Sequence, residues 1–322
     1  MIFAAFKWLG IQLVVICVML GIFALLVLLF NGRLEALGFI QTAVVGMKGP
    51  WVWTFGYGLA FFIMDQGPSL PAQLNKVLVE NQVTAEVTAR ISASTQHKYA
   101  WRYTVPLALL GVFLTYVYGI ASRGVAFVLL YFCVLLIYYI SGFLLFHFIE
   151  VTFAFKVLYD KMDEVEFKPN YSPMSLENIM SYLAITTVIG LISIYAGFRG
   201  TVTAGFQFQH DVWRVFLLTP LVLFVPGTLF YDYYPRYVLK KILQHKVCRL
   251  MERLGASDGS DARELMRDMR DAASTNSQIL PFVDYKTLPS FLIAILFVVS
   301  LAYNHDPIFR DFFRALANMS VK

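Results

Sequence analysis

Long apolar segments without charge constrain this chain more than any other feature. Charged residues are only 15% of the sequence and hydrophobic residues are 58%, whereas soluble domains carry about 25% charged residues. This composition excludes a soluble domain. The apolar residues lie in blocks and do not alternate, which argues against an outer-membrane barrel. The sequence predicts an all-α, polytopic helical membrane protein. Six segments contain no Asp, Glu, Lys or Arg and have the length of membrane spans: 8–30, 104–121, 125–148, 179–198, 215–231 and 288–303.

A seventh apolar segment is interrupted by Lys48, Gly49 and Pro50. Either a simple span covers 49–66, with Pro50 at the start of the helix, or the segment is broken and re-entrant. The simple span is the preferred interpretation and gives seven transmembrane helices.

The distribution of Lys and Arg predicts the orientation of these spans. Together with Lys7, the loops 65–103, 149–178 and 232–287 contain 18 of the 26 Lys and Arg residues. These loops are therefore expected in the cytoplasm. The predicted organisation is a transmembrane bundle over 1–235, a cytoplasmic helical hairpin over 236–280, and a last span with a short external tail over 281–322.

Two cytoplasmic elements are expected to be amphipathic. One is a single helix over 71–93. The other is the first helix of the hairpin, where Leu239, Leu243 and Leu250 share one face. The hairpin is either a solvated structural element or a docking surface over 236–275, and its candidate partner residues are Lys240, Lys241, Lys246, Arg249 and Arg253.

Sequence signatures of catalysis are absent. The chain has no P-loop, dinucleotide-binding, zinc-protease or serine-hydrolase motif, and its three cysteines have no metal-ligand spacing. We therefore expect no enzyme activity, no cofactor and no metal. His147 and Glu150 lie on one helix face and are expected to form an interface pair. The net charge of +5 reflects loops beside anionic lipid, so nucleic-acid binding is not implied.

Uncharged polar residues within the spans allow two interpretations. Coupled transporters need embedded charges, whereas a passive pore can be lined by hydroxyl groups. The same groups can instead form contacts between helices. The candidates are Thr115, Tyr116, Tyr138, Tyr139, Ser141, Thr186, Thr187 and Thr219. The candidate hinge residues, which would kink the sixth span, are Pro220, Pro226 and Gly227.

The segment from Leu280 to Leu288 resembles a stretch found in uncharacterised bacterial polytopic inner-membrane proteins. In those proteins a PF-D-x-x-T-L run follows a charged helical hairpin and opens the last span; here Val283 is inserted between Phe282 and Asp284. The lysines at 240, 241 and 246 are similar as well. The resemblance implies a bacterial inner membrane and assigns no activity.

Three functional hypotheses follow from the sequence. The first is a homo-oligomeric passive channel or pore-forming effector that is gated through its cytoplasmic hairpin. The second is a non-catalytic subunit or scaffold of a larger membrane complex, which binds a partner membrane or cytoplasmic protein through 236–275. The third is a transporter with a broken helix at Lys48, Gly49 and Pro50.

Overall fold

The computed structural model describes residues 1–41, 49–117, 124–168, 171, 173–203 and 225–256. Within these ranges the chain is helical and forms no strand, which confirms the all-α class. The helices are α1 Ile2–Asn31, α2 Arg33–Ile40, α3 Gly49–Gln66, α4 Ser69–Val77, α5 Gln82–Ser94, α6 His97–Val117, α7 Gly124–Asp160, α8 Pro173–Thr203 and α9 Val225–Ala256.

Three segments are long and apolar enough to cross a membrane, namely Ile2–Asn31, Tyr138–Asp160 and Met174–Ile194. The first of them, α1, leaves most of its apolar side chains exposed, and Leu29 and Phe30 are 70% and 73% exposed. A helix this apolar and this exposed requires a non-aqueous environment along its surface. Gly32, with φ of +86°, ends α1 and separates it from α2, because glycine adopts this conformation without steric cost.

The spans expected at 49–66 and 104–121 lie in α3 and α6. Helix α3 is described from Gly49 to Gln66, but it is not among the three described segments that are long and apolar enough to cross a membrane, so the span over 49–66 stays a prediction. Helix α6 begins earlier than expected, at His97, and is described as far as Val117. It packs closely on α7, since a Cβ atom on Gly142 would lie 2.5 Å from Cα of Thr104. The last span at 288–303 and most of the span at 215–231 lie outside the described residues.

Helix α7 is longer than the sequence analysis expects. A loop was expected from residue 149, but the helix continues to Asp160 and contains 37 residues, about 55 Å at 1.5 Å per residue. Residues 149–160 contain no Gly or Pro. They bury Val151, Ala154, Phe155 and Leu158 at helical spacing, so a packed helix forms where charge alone indicated a loop.

The prediction of a single helix over 71–93 is wrong, because two helices, α4 and α5, occupy this segment. Leu78 is extended, and the backbone N–H of Val79 donates to the carbonyl of Glu166 at 2.8 Å. Asn81 then caps α5 through a capping box with Thr84. The cap begins a new helix after the break at Leu78, although the apolar spacing continues from α4 into α5.

Helices α4 and α5 form a second layer at one end of the long helices, and this end is taken as the bottom of the molecule. This basal layer consists of α4, α5, residues 148–168 and the part of α9 from Asp232 onward. Helix α4 packs on α8, and α5 packs on α7. The layer shares one continuous core with the upper parts of the helices, and buried members of that core are Leu59, Phe62, Leu74, Val87, Phe143, Phe155, Tyr182, Leu239, Ile242 and Leu243.

The apolar face predicted for the first hairpin helix is buried. Leu239 and Leu243 are 0% and 1% exposed, and Leu250 is 6% exposed. The helix is the continuation of α9, which runs without interruption from Val225 to Ala256. The second hairpin helix, expected after residue 260, lies outside the described residues.

Candidate functional site

Four helices meet at a buried polar cluster centred on His147. Its ring Nδ1 lies 2.9 Å from Oγ of Ser94. Its Nε2 lies 3.1 Å from the hydroxyl oxygens of both Tyr182 and Tyr231. Ser94 is on α5, His147 on α7, Tyr182 on α8 and Tyr231 on α9, and all four are fully buried. We call these four residues the His147 cluster.

One tautomer of His147 is consistent with the hydrogen bonds of the His147 cluster. The hydroxyl of Ser94 donates to the carbonyl oxygen of Ile91 at 2.7 Å, so its oxygen accepts from N–H at Nδ1 of His147. In a neutral ring, Nε2 then accepts from a tyrosine hydroxyl. Both tyrosines reach the same lone pair, and only one can donate to it at a time. The cluster therefore links four helices with a histidine that uses both ring nitrogens.

A buried ion pair lies directly below this cluster on α9. Nε of Arg236 donates to Oδ1 of Asp232 at 2.8 Å, and Nη2 donates to the carbonyl of Met180 at 3.1 Å. Asp232 and Arg236 are 4% and 2% exposed. Burial raises the pKa of the Asp232 carboxyl above its usual value, and the guanidinium of Arg236 opposes that rise. The pair joins α9 to α8 through the Met180 carbonyl.

Neither the His147 cluster nor the buried ion pair is predicted from the sequence. Asp232 and Arg236 are expected in the loop over 232–287, because the charge-free span ends at residue 231. Their spacing of four residues was the available signal, since it puts both side chains on one helix face. His147 is expected to pair with Glu150, but Glu150 instead lies 3.3 Å from Arg90 of α5, while His147 faces the core.

The candidate pore residues within the described part of the chain do not form one group. Thr186 and Thr187 are fully buried, and the hydroxyl of Thr187 donates to the carbonyl of Thr228 at 3.4 Å. Tyr138 and Tyr139 are half-buried, and Ser141 is exposed. Thr115 and Tyr116 belong to α6, but their side chains lie outside the described part, as does residue Thr219.

The candidate hinge residues lie at one end of α9. Pro226 is the second residue of the helix, where proline is tolerated, and Gly227 follows it. Pro220 lies outside the described residues. The interior proline of α9 is Pro235, which removes the N–H that would bind the carbonyl of Tyr231. Pro235 is therefore the proline inside the described part of α9, and the hinge at Pro220, Pro226 and Gly227 stays a prediction, because the residues directly before α9 lie outside the described part.

Part of the predicted partner surface is used within the molecule. Lys246 donates to the carbonyl of Phe167 at 3.2 Å. Arg249 donates to the carbonyl and the carboxylate of Asp163 at 2.8 Å and 3.1 Å. These contacts hold α9 against residues 161–168.

Among the described side chains, those of Lys240 and Lys241 form no hydrogen bond or ion pair within the molecule. Lys240 and Lys241 are half-buried, and Nζ of Lys241 lies 5.7 Å from the ring centroid of Tyr237. The side chain of Arg253 is outside the described part.

The broken-helix hypothesis falls largely outside the described residues, since Lys48 is not among them. Gly49 and Pro50 form the first turn of α3. Across the described ranges, no three or more His, Cys, Asp or Glu side chains are grouped so that they could hold a metal ion. Comparison with family models, with curated proteins and with solved structures finds no match to this chain.

Proposed function

We propose that this chain is a non-catalytic integral subunit of a larger membrane assembly, with the basal layer as its cytoplasmic docking platform. The observation that carries the proposal is the continuity of the core. Helices α7 and α9 run from the upper part of the molecule into the basal layer, and one hydrophobic core spans both. A surface fixed this firmly to membrane helices is suited to holding a partner in place.

A common level for the membrane boundary supports the orientation. On α1 the indole N–H of Trp8 donates to Asp65 of α3 at 2.8 Å. On α6 the ring of Tyr103 lies 5.6 Å from that of Phe146, which places the start of α6 beside His147. Tryptophan and tyrosine favour the interfacial region. Below this level lie the ion pairs of the basal layer, and above it lie α1 and the apolar parts of α6 and α7. In this placement α7 crosses the membrane with its residues before His147, and residues 148–160 of the apolar segment Tyr138–Asp160 belong to the basal layer.

The positions of two candidate pore residues favour a subunit over a pore. The hydroxyl-bearing residues Thr186 and Thr187 are 0% exposed, and Thr187 binds the backbone of α9. Side chains in such positions hold helices together, whereas pore-lining groups must face a water-filled path. The His147 cluster likewise uses its polar atoms to join four helices.

The predicted docking residues are Lys240 and Lys241 on the basal part of α9. The test extracts the full-length chain from its native membrane in mild detergent and measures the mass of its complex. The variant Lys240→Glu/Lys241→Glu should release the chain from a high-mass complex. The matched control Lys7→Glu/Arg33→Glu reverses the same charge at exposed positions on α1 and α2, outside the basal layer, and should leave the complex intact.

Ion flux through liposomes containing the purified chain completes the test. A docking subunit gives no flux alone. The proposal is contradicted if the complex contains only copies of this chain, conducts ions and is unaffected by Lys240→Glu/Lys241→Glu. Such a result would identify the chain as a channel.

A gated homo-oligomeric channel remains the second candidate, and one feature favours it. Helix α9 is continuous from Val225 to Ala256, so movement of its basal end is transmitted to the upper part. In this mechanism the helix bends at Pro235. For this candidate, we expect Pro235→Ala to stiffen α9 and to reduce flux in the same liposomes. The transporter hypothesis depends on Lys48 and stays a prediction.

A further inference from the structure

The first two turns of α6 expose two cations and two aromatic rings. Nζ of Lys98 lies 4.8 Å from the ring centroid of Tyr99, and Cζ of Arg102 lies 5.7 Å from that of Trp101. Tyr99 and Trp101 are 46% and 59% exposed. Lys98 and Arg102 are also exposed, and their spacing of four residues puts them on one face of the helix.

Neither cation forms an ion pair with another residue in the described ranges. Two acidic side chains on the adjoining helices are already engaged, because Glu86 of α5 lies 3.7 Å from Lys161 and Glu150 of α7 lies 3.3 Å from Arg90. Like charges one helical turn apart repel each other. An anionic group placed between Lys98 and Arg102 would remove that repulsion.

The same face of α6 becomes apolar further along the helix. Val105, Leu109 and Phe113 follow Arg102 at spacings of three and four residues and are 45%, 64% and 60% exposed. The opposite face, with Ala100 and Thr104, is fully buried. One exposed stripe therefore carries cations and rings first and an apolar surface afterwards, which is the order of a phospholipid from headgroup to acyl chain.

We infer that this stripe, formed by Lys98, Trp101, Arg102, Leu109 and Phe113, binds an anionic phospholipid of the leaflet next to the basal layer. The lipid phosphate lies between Lys98 and Arg102, the indole of Trp101 lies beside the glycerol region, and an acyl chain follows Leu109 and Phe113. The inference rests on the membrane placement in the proposed function.

A similar arrangement on α1 lacks the chemistry for an anion. Nζ of Lys7 lies 5.8 Å from the ring centroid of Trp8, which resembles the pairs on α6. The indole N–H of Trp8, however, binds the carboxylate of Asp65. A negative charge therefore already occupies this position and repels a second one. Lys7 is thus a matched control at the same level of the molecule.

Native mass spectrometry of the full-length chain in detergent tests the inference. The chain is titrated with phosphatidylglycerol or with phosphatidylcholine, and a dissociation constant is obtained for each. Two cations at a membrane surface should make phosphatidylglycerol bind about 30-fold more tightly. The variant Lys98→Gln/Arg102→Gln should lose this preference, whereas Lys7→Gln/Lys76→Gln, which removes the same charge, should keep it. Circular dichroism and gel filtration establish that both variants fold as the wild type does.

Three outcomes overturn the inference. These are equal binding of both lipids by the wild type, equal loss of the preference in the two variants, and displacement of phosphatidylglycerol by inorganic phosphate at equal concentration. Alkaline carbonate extraction of membranes separates these outcomes from failure of the proposed function. A chain that carbonate releases is not integral, which overturns both proposals, whereas a retained chain without lipid preference overturns this inference alone.

Discussion

Nδ1 of His147 lies 2.9 Å from Oγ of Ser94, and neither residue is exposed to solvent. This contact joins α5 of the basal layer to the long helix α7. Because Nε2 of the same ring meets tyrosine hydroxyls on α8 and α9, one imidazole connects the basal layer to three long helices. The docking platform that we propose depends on this connection.

Removal of the imidazole should therefore destabilise the fold. His147→Ala leaves a buried cavity and removes the ring nitrogens that Ser94, Tyr182 and Tyr231 contact. A buried polar group without its partner costs about 1–3 kcal/mol, and a cavity of this kind costs about 2–5 kcal/mol. We expect a loss of about 3–5 kcal/mol in the free energy of unfolding, measured by denaturant titration in detergent. His245→Ala, a change at a partly exposed histidine on α9, is the control, and an equal loss there would contradict the role of the cluster.

Sequence patterns predict some elements well, for identifiable physical reasons. The apolar face of α9 at Leu239 and Leu243 follows from the helical periodicity of its apolar residues. The capping box of Asn81 with Thr84 was also present in the sequence, although the continuous apolar spacing concealed it. Local signals of this kind act within one or two helical turns.

The candidate site was not predictable in the same way. The His147 cluster takes one residue from each of four helices, and no local pattern indicates which distant side chains meet. Glu150 lies three residues from His147 and is the partner expected from the sequence, but in the fold it forms an ion pair with Arg90. The burial of Asp232 and Arg236 depends on α9 continuing through Pro235, which the packing of α7 and α8 against it supports.

Removing one partner of the ion pair between Asp232 and Arg236 should destabilise the protein more than replacing both residues with apolar ones. Asp232→Ala leaves a buried guanidinium without its counter-charge, and we expect a loss of about 3–5 kcal/mol in the free energy of unfolding. The double variant Asp232→Leu/Arg236→Met removes both charges and should be less destabilised than Asp232→Ala alone. A double-mutant cycle followed by thermal unfolding gives the coupling energy.

The exposed pair of Lys156 and Asp160 provides the comparison for this cycle. It has the same spacing of four residues and an N–O distance of 2.6 Å, but both side chains are about half exposed to solvent. Asp160→Ala should therefore produce no measurable change in stability. A loss equal to that of Asp232→Ala would show that burial does not determine the strength of the α9 pair.

The cap at Asn81 should control the order of α5. Its side-chain oxygen accepts from the N–H of Thr84 at 2.9 Å, and its amide donates to the carbonyl of Glu164 at 2.6 Å. Asn81→Ala removes both bonds, and loss of a cap costs about 0.5–2 kcal/mol. We expect faster hydrogen exchange in residues 82–86, with little change in α7. Asn75→Ala, at an exposed position near the end of α4, should leave this exchange unchanged.

Two glycines with opposite surroundings test the close contact of α6 with α7. A Cβ atom on Gly142 would lie 2.5 Å from Cα and 2.8 Å from the backbone nitrogen of Thr104, whereas no atom lies within 4 Å of a Cβ on Gly56. Alanine favours a helix over glycine by about 1 kcal/mol, so Gly56→Ala should raise the melting temperature. Gly142→Ala gains the same helix propensity but must push two backbones apart, because backbone atoms cannot move aside as a flexible side chain can. We expect it to lower the melting temperature, and a rise in both variants would mean that α6 and α7 do not approach at this distance.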